Sequence, residues 1–160
     1  MNSYYYADGI QYSYYSSKKA SVSAQNTNIE FAVIPERIES KELDYDGYII
    51  PTYITNFKKC GSLQYVTMPS TIKEIGGNAF LNCSSLSAIS ISSSAVKIAD
   101  DAFDGCGNLA VVYLPSGYAA DAFPVAGGLM LVAESRGYDV YVTENVSEEQ
   151  LNTIVAVSKI

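Results

Sequence analysis

The chain has no histidine and no tryptophan, only three cysteines and five prolines in 160 residues, and 10 cationic side chains against 17 acidic ones. Each shortage removes a class of function. Without histidine there is no Ser-His-Asp or Cys-His nucleophile system and no H-E-x-x-H metal site. Three cysteines with no C-x-x-C pair do not make up the usual zinc ligand set. The formal net charge is −7 and no basic stripe interrupts it. Contact with nucleic acid would therefore begin with repulsion rather than with counterion release. No run reaches the roughly 18 apolar residues of a membrane-spanning helix. The expectation is a chain with no cofactor, no metal, no nucleic-acid partner and no membrane insertion.

What the chain does have is a period. Phe57, Phe80 and Phe103, then Cys60, Cys83 and Cys106, then Leu63, Leu86 and Leu109 all recur at one constant 23-residue step. A fixed period of about 20 to 50 residues marks a solenoid, in which each unit buries its apolar face against the next. Ile75 returns as Ile98 and Ala79 as Ala102. Each copy holds a Leu-x-x-Φ-x-Φ run, where Φ is aliphatic: Leu63, Val66, Met68; Leu86, Ile89, Ile91; Leu109, Val112, Leu114. The two Φ positions share one face of a strand, so Val66 and Met68 point inward while Tyr65 and Thr67 point outward. The matching outward pairs are Ala88 with Ser90 and Val111 with Tyr113. Tyr65, Thr67, Ala88, Ser90, Val111 and Tyr113 are thus the candidate ligand-binding residues on an exposed strand face. Tyr65 and Tyr113 would flank a shallow trough floored by the small Ala88 and Ser90.

Pro69 and Pro115 end two of the strands. Ile72 and Ile75 suggest a second short extended piece, and residues 78–83 a tight turn that returns Phe80 to the core. The cysteines share one register and should project in parallel, which opposes a disulfide torsion and favours a buried apolar ladder.

The run Ala79-Phe80-Leu81-Asn82-Cys83-Ser84-Ser85-Leu86 follows the pattern A-F-x-x-C-x-x-L, with the Cys three residues ahead of the first Leu. That pattern resembles the BspA-like, or Treponema-type, leucine-rich repeat family over residues 57–115. Asp8-Gly9-Ile10, Val33-Ile34-Pro35 and Tyr45-Asp46-Gly47 resemble the segment that precedes the first repeat there. The chain departs from the pattern between Ile54 and Phe57, which is two residues shorter than Ile75 to Phe80. The resemblance implies a non-catalytic, adhesin-like protein-protein interaction module, bacterial and at the cell surface or secreted, with a host or matrix protein as partner.

The expected fold class is α+β: a short leucine-rich-repeat solenoid of about three rungs with an N-terminal β cap and a C-terminal α/β cap. Residues 1–56 form the β-rich cap, 57–116 the repeats and 117–160 the second cap, all in one folded unit. In the first cap, Ile10, Tyr12, Tyr14 and Ala20, Val22, Ala24 alternate as a hairpin, residues 31–34 add a strand, and a turn at Asp46-Gly47 joins 43–45 to 48–50. Asp44-x-Asp46-Gly47 lacks the other ligands of a calcium loop. In the second cap a helix is expected from near Val125 to Gly137, then a strand over 138–142 that continues the sheet. Ser147-Glu148-Glu149-Gln150 is a capping box opening a helix with Leu151, Ile154 and Val155 on one face. Asp100-Asp101 and Glu148-Glu149 are adjacent carboxylate pairs, but neighbours in sequence rarely converge on one substrate bond, and Asp100-Asp101 reads as a solvated turn with a helix N-cap. An enzyme is not expected.

Two other functions fit the same residues. Aromatic rings edged by hydroxyls suit a glycan, and the acidic C-terminal part suits an intracellular inhibitor or regulator acting by protein binding. Met1-Asn2-Ser3-Tyr4 shows no basic and apolar leader. The expected location is therefore cytoplasmic unless an export signal lies upstream, and the cell surface or exterior if one does.

Overall fold

The computed structural model describes residues 3–158 except Asp46, with side chains described as far as Ile154. The expected roles of Asp46, in the turn and the calcium loop, and of the Val155 side chain lie outside the described residues. In chain order the strands are β1 (Ser3–Ala7), β2 (Ile10–Tyr14), β3 (Lys19–Ala24), β4 (Phe31–Val33), β5 (Ile38–Glu39), β6 (Tyr48–Asn56), β7 (Tyr65–Thr67), β8 (Glu74–Ile75), β9 (Ala88–Ser90), β10 (Lys97–Ile98), β11 (Val111–Pro115), β12 (Met130–Glu134) and β13 (Tyr138–Val142), followed by the helix α1 (Glu148–Ser158). They make two sheets. One runs β1-β2-β3-β6-β8-β10 with β5 beside β6, and the other runs β12-β13-β11-β9-β7-β4.

The repeat period sets the second sheet. β7, β9 and β11 stack in parallel with no slip, so that Val66, Ile89 and Val112 face one another inside, as do Met68, Ile91 and Leu114. The first sheet carries the second extended piece of each unit, where Ile54, Ile75 and Ile98 pair in parallel across β6, β8 and β10. The turns between them bring in the phenylalanines. Phe57, Phe80 and Phe103 stack with centroids 5.2 and 5.4 Å apart. A fourth ring, Phe123, extends the column at 5.3 Å from Phe103. It follows the 3-10 turn Ala120–Ala122 and arrives short of a full period after Phe103, so a search at fixed spacing passes over it.

Backbone polar groups of each turn are satisfied by the next unit. Phe57 N–H donates to the Ala79 carbonyl and Phe80 N–H to that of Ala102. The Cys83 thiol donates to the Phe57 carbonyl at 3.0 Å and the Cys106 thiol to that of Phe80 at 3.1 Å. All three cysteines are buried and free. Asp101 does not cap its own turn as a helix N-cap would. Its Oδ1 accepts the backbone N–H of Asn78 one unit back, at 3.0 Å.

Three features of the caps differ from the sequence-based expectation. The expected helix from Val125 is absent: Gly127 and Gly128 both hold left-handed φ values of 77° and 72°, and Met130-Leu131-Val132 form β12 instead. β12 and β13 form an antiparallel hairpin whose second strand pairs antiparallel with β11, so the sheet continues but reverses direction. In the N-terminal cap the partner of the strand after Gly47 is β5, at Ile38 and Glu39, rather than residues 43–45. The hairpin of β2 and β3 forms as expected, with β1 added on its outer edge.

The sheet that carries the outward residues also has a fourth parallel strand, β4, in register with β7. Its sequence is a worn copy of the repeat, Ile29-x-x-Ala32-x-Ile34-Pro35 against Leu63-x-x-Val66-x-Met68-Pro69. The two copies stand more than one period apart because the excursion through β5 lies between them.

At the far end, the Thr143 hydroxyl donates to the Leu109 carbonyl at 2.5 Å, and Asn145 Nδ2 reaches the same carbonyl at 3.3 Å. These side chains stand in for the next unit. The helix then starts as the sequence implies: Gln150 N–H donates to Ser147 Oγ at 3.1 Å and Ser147 N–H to Gln150 Oε1 at 2.8 Å.

The phenylalanine column makes a graded prediction. Phe80, with a ring on either side, should lose about 3 to 5 kcal/mol as Phe80→Ala, and Phe123→Ala, stacked on one side only, should lose less. Urea unfolding of both variants checks the order, and an equal or reversed cost would contradict the column. Gly105 sits at φ 77°, and a Cβ there would come within 3.0 Å of the Asn82 Cα. Gly105→Ala should therefore destabilise by roughly 2 kcal/mol, the left-handed strain and the crowding together, in the same assay.

Candidate functional site

The outward residues form two rows across the parallel strands. Phe31, Tyr65, Ala88 and Val111 make the first, and Val33, Thr67, Ser90 and Tyr113 the second. Five of the six expected residues, Tyr65, Thr67, Ala88, Ser90 and Tyr113, are half-buried on this face. Val111 is the exception. It points outward but is only 7% exposed, because it clusters with Ala110 and Val140, against which Ile154 of α1 also packs. The strand alternation that places Val111 outside is right, and the helix that covers it closes that part of the face.

α1 leaves the other part open. A cleft of about 430 Å³ is lined by Tyr65, Ser90, Ser92, Tyr113, Arg136 and Tyr138, with Ile91, Pro115 and Gly137 completing its wall. Tyr113 and Tyr138 meet edge to face with centroids 6.2 Å apart. Burial, then the neighbouring Tyr65 and Tyr138 phenols, raise the Tyr113 pKa above its ordinary value. It therefore remains a protonated donor throughout the neutral range. Gly137, at φ 81°, closes the tight turn between β12 and β13, where Ser135 N–H donates to the Tyr138 carbonyl, and this turn carries Arg136 to the cleft.

Tyr138, Arg136 and Ser92 were not among the sequence-based candidates. Tyr138 was legible as a strand residue, but its neighbour on the face, Tyr113, could be assigned only once β13 was known to run antiparallel to β11. Phe31 and Val33 were missed for another reason: their copy of the repeat falls off the period. They are 54% and 63% exposed on the same face.

Among the described residues no cluster of three or more Cys, Asp or Glu side chains could hold a metal ion. The neighbouring Cys83 thiol and burial raise the Cys60 pKa. Cys83 is pushed up to about 12, chiefly by the Cys106 thiol and then by burial, with Cys60 opposing in part. The Cys60 and Cys83 thiols are packing groups rather than nucleophiles, whereas the Cys83 thiol, against the effect of burial, holds the Cys106 pKa below its ordinary value.

The solenoid of stacked parallel strands, the phenylalanine column and the buried cysteine ladder coincide with a family description, BspA type leucine rich repeat region (6 copies), which matches residues 49–121. Over residues 49–121 the chain is a BspA-type leucine-rich repeat region. Among solved structures, a leucine-rich repeat protein from Bacteroides ovatus is similar at 26% identity with a TM-score of 0.56, over 68% of this chain and 28% of that one. A leucine rich cell surface protein from Faecalibacterium prausnitzii shares the fold at 24% identity and a TM-score of 0.52, over 68% of this chain and 29% of that one. The chain thus spans under a third of the length of these two repeat proteins. No curated protein matches it. Repeat proteins of this family are typically binding modules without enzymatic activity. Among the described residues no helix is long and apolar enough to cross a membrane.

The cover over Val111 is open to test. Ile154→Ser should weaken the packing of α1 on the sheet by roughly 1 kcal/mol and raise the fluorescence of a hydrophobic dye as Val111 and Val140 become accessible. An unchanged dye signal would mean that α1 does not shield them.

Proposed function

We propose that this BspA-type chain is a non-catalytic protein-binding module of a bacterial cell surface or secreted protein, adhesin-like, and that it binds through the open part of its strand face. One observation carries the reading: the aromatic cleft on that face, with Tyr65, Tyr113 and Tyr138 around Ser90 and Arg136 at the mouth. Tyrosine gives large contact area with a polar tip at small entropic cost, which suits recognition of another macromolecule. The name of the Faecalibacterium protein, a cell surface protein, supports the surface location.

The four parallel strands span only about 14 Å at the usual strand spacing. A standard interface buries about 800 Å² per partner. The cleft and the exposed Phe31 and Val33 therefore have to act together in any tight complex. Val33 also favours a protein over a glycan, since a bare isopropyl group offers a sugar hydroxyl no partner.

The test is a binding comparison on immobilised host matrix proteins between the wild type and a Tyr65→Ser, Tyr113→Ser double variant. Both residues are half-buried at the surface, so the fold should survive. The expected loss is at least tenfold in affinity for whichever protein the wild type binds. Equal binding by both would place the interaction elsewhere on the chain.

A further inference from the structure

We propose that the cleft receives a carboxylate, the side chain of an Asp or Glu on an extended segment of the partner protein, while an apolar residue of the same segment rests on Phe31 and Val33. This rests on the protein-binding reading above and states what the face would select.

The chain as a whole is acidic, with a formal net charge of −7, yet the cleft is a local exception. Arg136 is its only charged lining residue, and no ion pair or ring contact engages that guanidinium among the described residues. The two nearest acidic side chains in sequence, Glu134 and Asp139, act on Tyr141. Tyr141 lies on the opposite side of β13 from Tyr138 and Val140. The Tyr65, Tyr113 and Tyr138 hydroxyls have no protein hydrogen-bond partner among the described residues, and Tyr113 is held protonated. A guanidinium plus phenol donors, in a cleft walled by rings and by Pro115, is a receptor for a small planar anion. Charge-assisted bonds from Arg and from O–H donors to a carboxylate are the short, strong class.

The rest of the face says how that anion is presented. From the cleft the surface runs along Ser90 and Thr67 to Val33, with Phe31 beside it, and ends at the edge strand β4. Between β4 and β11 or β13 lie three or four strand spacings, about 14 to 19 Å, which an extended segment of roughly four to six residues covers. An acidic sugar could fill the cleft but would leave Phe31 and Val33 without a contact. A peptide with an apolar residue and an acidic residue that far apart engages both ends.

A displayed library of random peptides selected against the wild-type protein and against Arg136→Gln tests this directly. Arg136 is exposed in a turn, so the substitution leaves the fold intact. The wild type should select peptides in which Asp or Glu stands four to six residues from a large apolar residue. Arg136→Gln should keep the apolar preference and lose the acidic one. For a selected peptide, replacing Glu by Gln should weaken binding to the wild type about tenfold and leave binding to Arg136→Gln unchanged. Peptides selected without an acidic preference, or with the same preference in Arg136→Gln, overturn the carboxylate site and leave the protein-binding reading standing. Selection of no peptide at all, with galacturonic acid or a sialoside bound in the cleft instead, overturns both.

Discussion

Every strand in the repeat face is held in register with the one before it, and the rest of the structure follows from that constraint. With strands about 4.8 Å apart and no slip between them, each side chain must lie on its counterpart one unit away. Positions inside the stack then accept residues that pack on the same or a similar apolar side chain. Phenylalanine does so as an offset column, and cysteine does so as a small side chain whose thiol donates to the carbonyl of the unit behind it. The same register lines up the outward residues, so one continuous face arises from positions that packing leaves free to vary.

A stack of this kind leaves open ends, and the caps solve the two ends differently. At the front, β3 pairs in parallel with β6, and the buried Tyr12 and Tyr14 fill the space that a preceding unit would occupy. At the back, Phe123 adds one more ring, Thr143 and Asn145 take the orphaned Leu109 carbonyl, and β13 covers the edge of β11 in the reverse direction. That reversal shapes the cleft. It turns Tyr138 and Arg136 back toward Tyr113, so the cap supplies part of the cleft wall and, among the described residues, its one cation.

Much of this was legible in the sequence because it depends on periods. The constant step between repeats and the alternation within each strand placed Tyr65, Thr67, Ala88, Ser90 and Tyr113 on one outward face, and the capping box at Ser147 marked the start of α1. What escaped was whatever broke the period. β4 hides behind an offset longer than one repeat, and Phe123 comes early. The stretch 125–137 had helical composition, but the paired glycines and the hairpin pairing available beside β11 outweighed that local preference. The burial of Val111 depends on where α1 docks, a tertiary contact between segments far apart in the chain that no local pattern encodes.

The central claim is that binding takes place on the outward face of the repeat strands, with the C-terminal hairpin completing the site. The most direct measurement is hydrogen-deuterium exchange of the chain alone and saturated with a protein or peptide it binds. The account predicts added protection confined to β4, β7, β9 and β11 and to the turn at Arg136 and Gly137. Protection centred instead on β1, with its exposed Tyr4 and Tyr6, or on β8 and β10 of the other sheet, would contradict it.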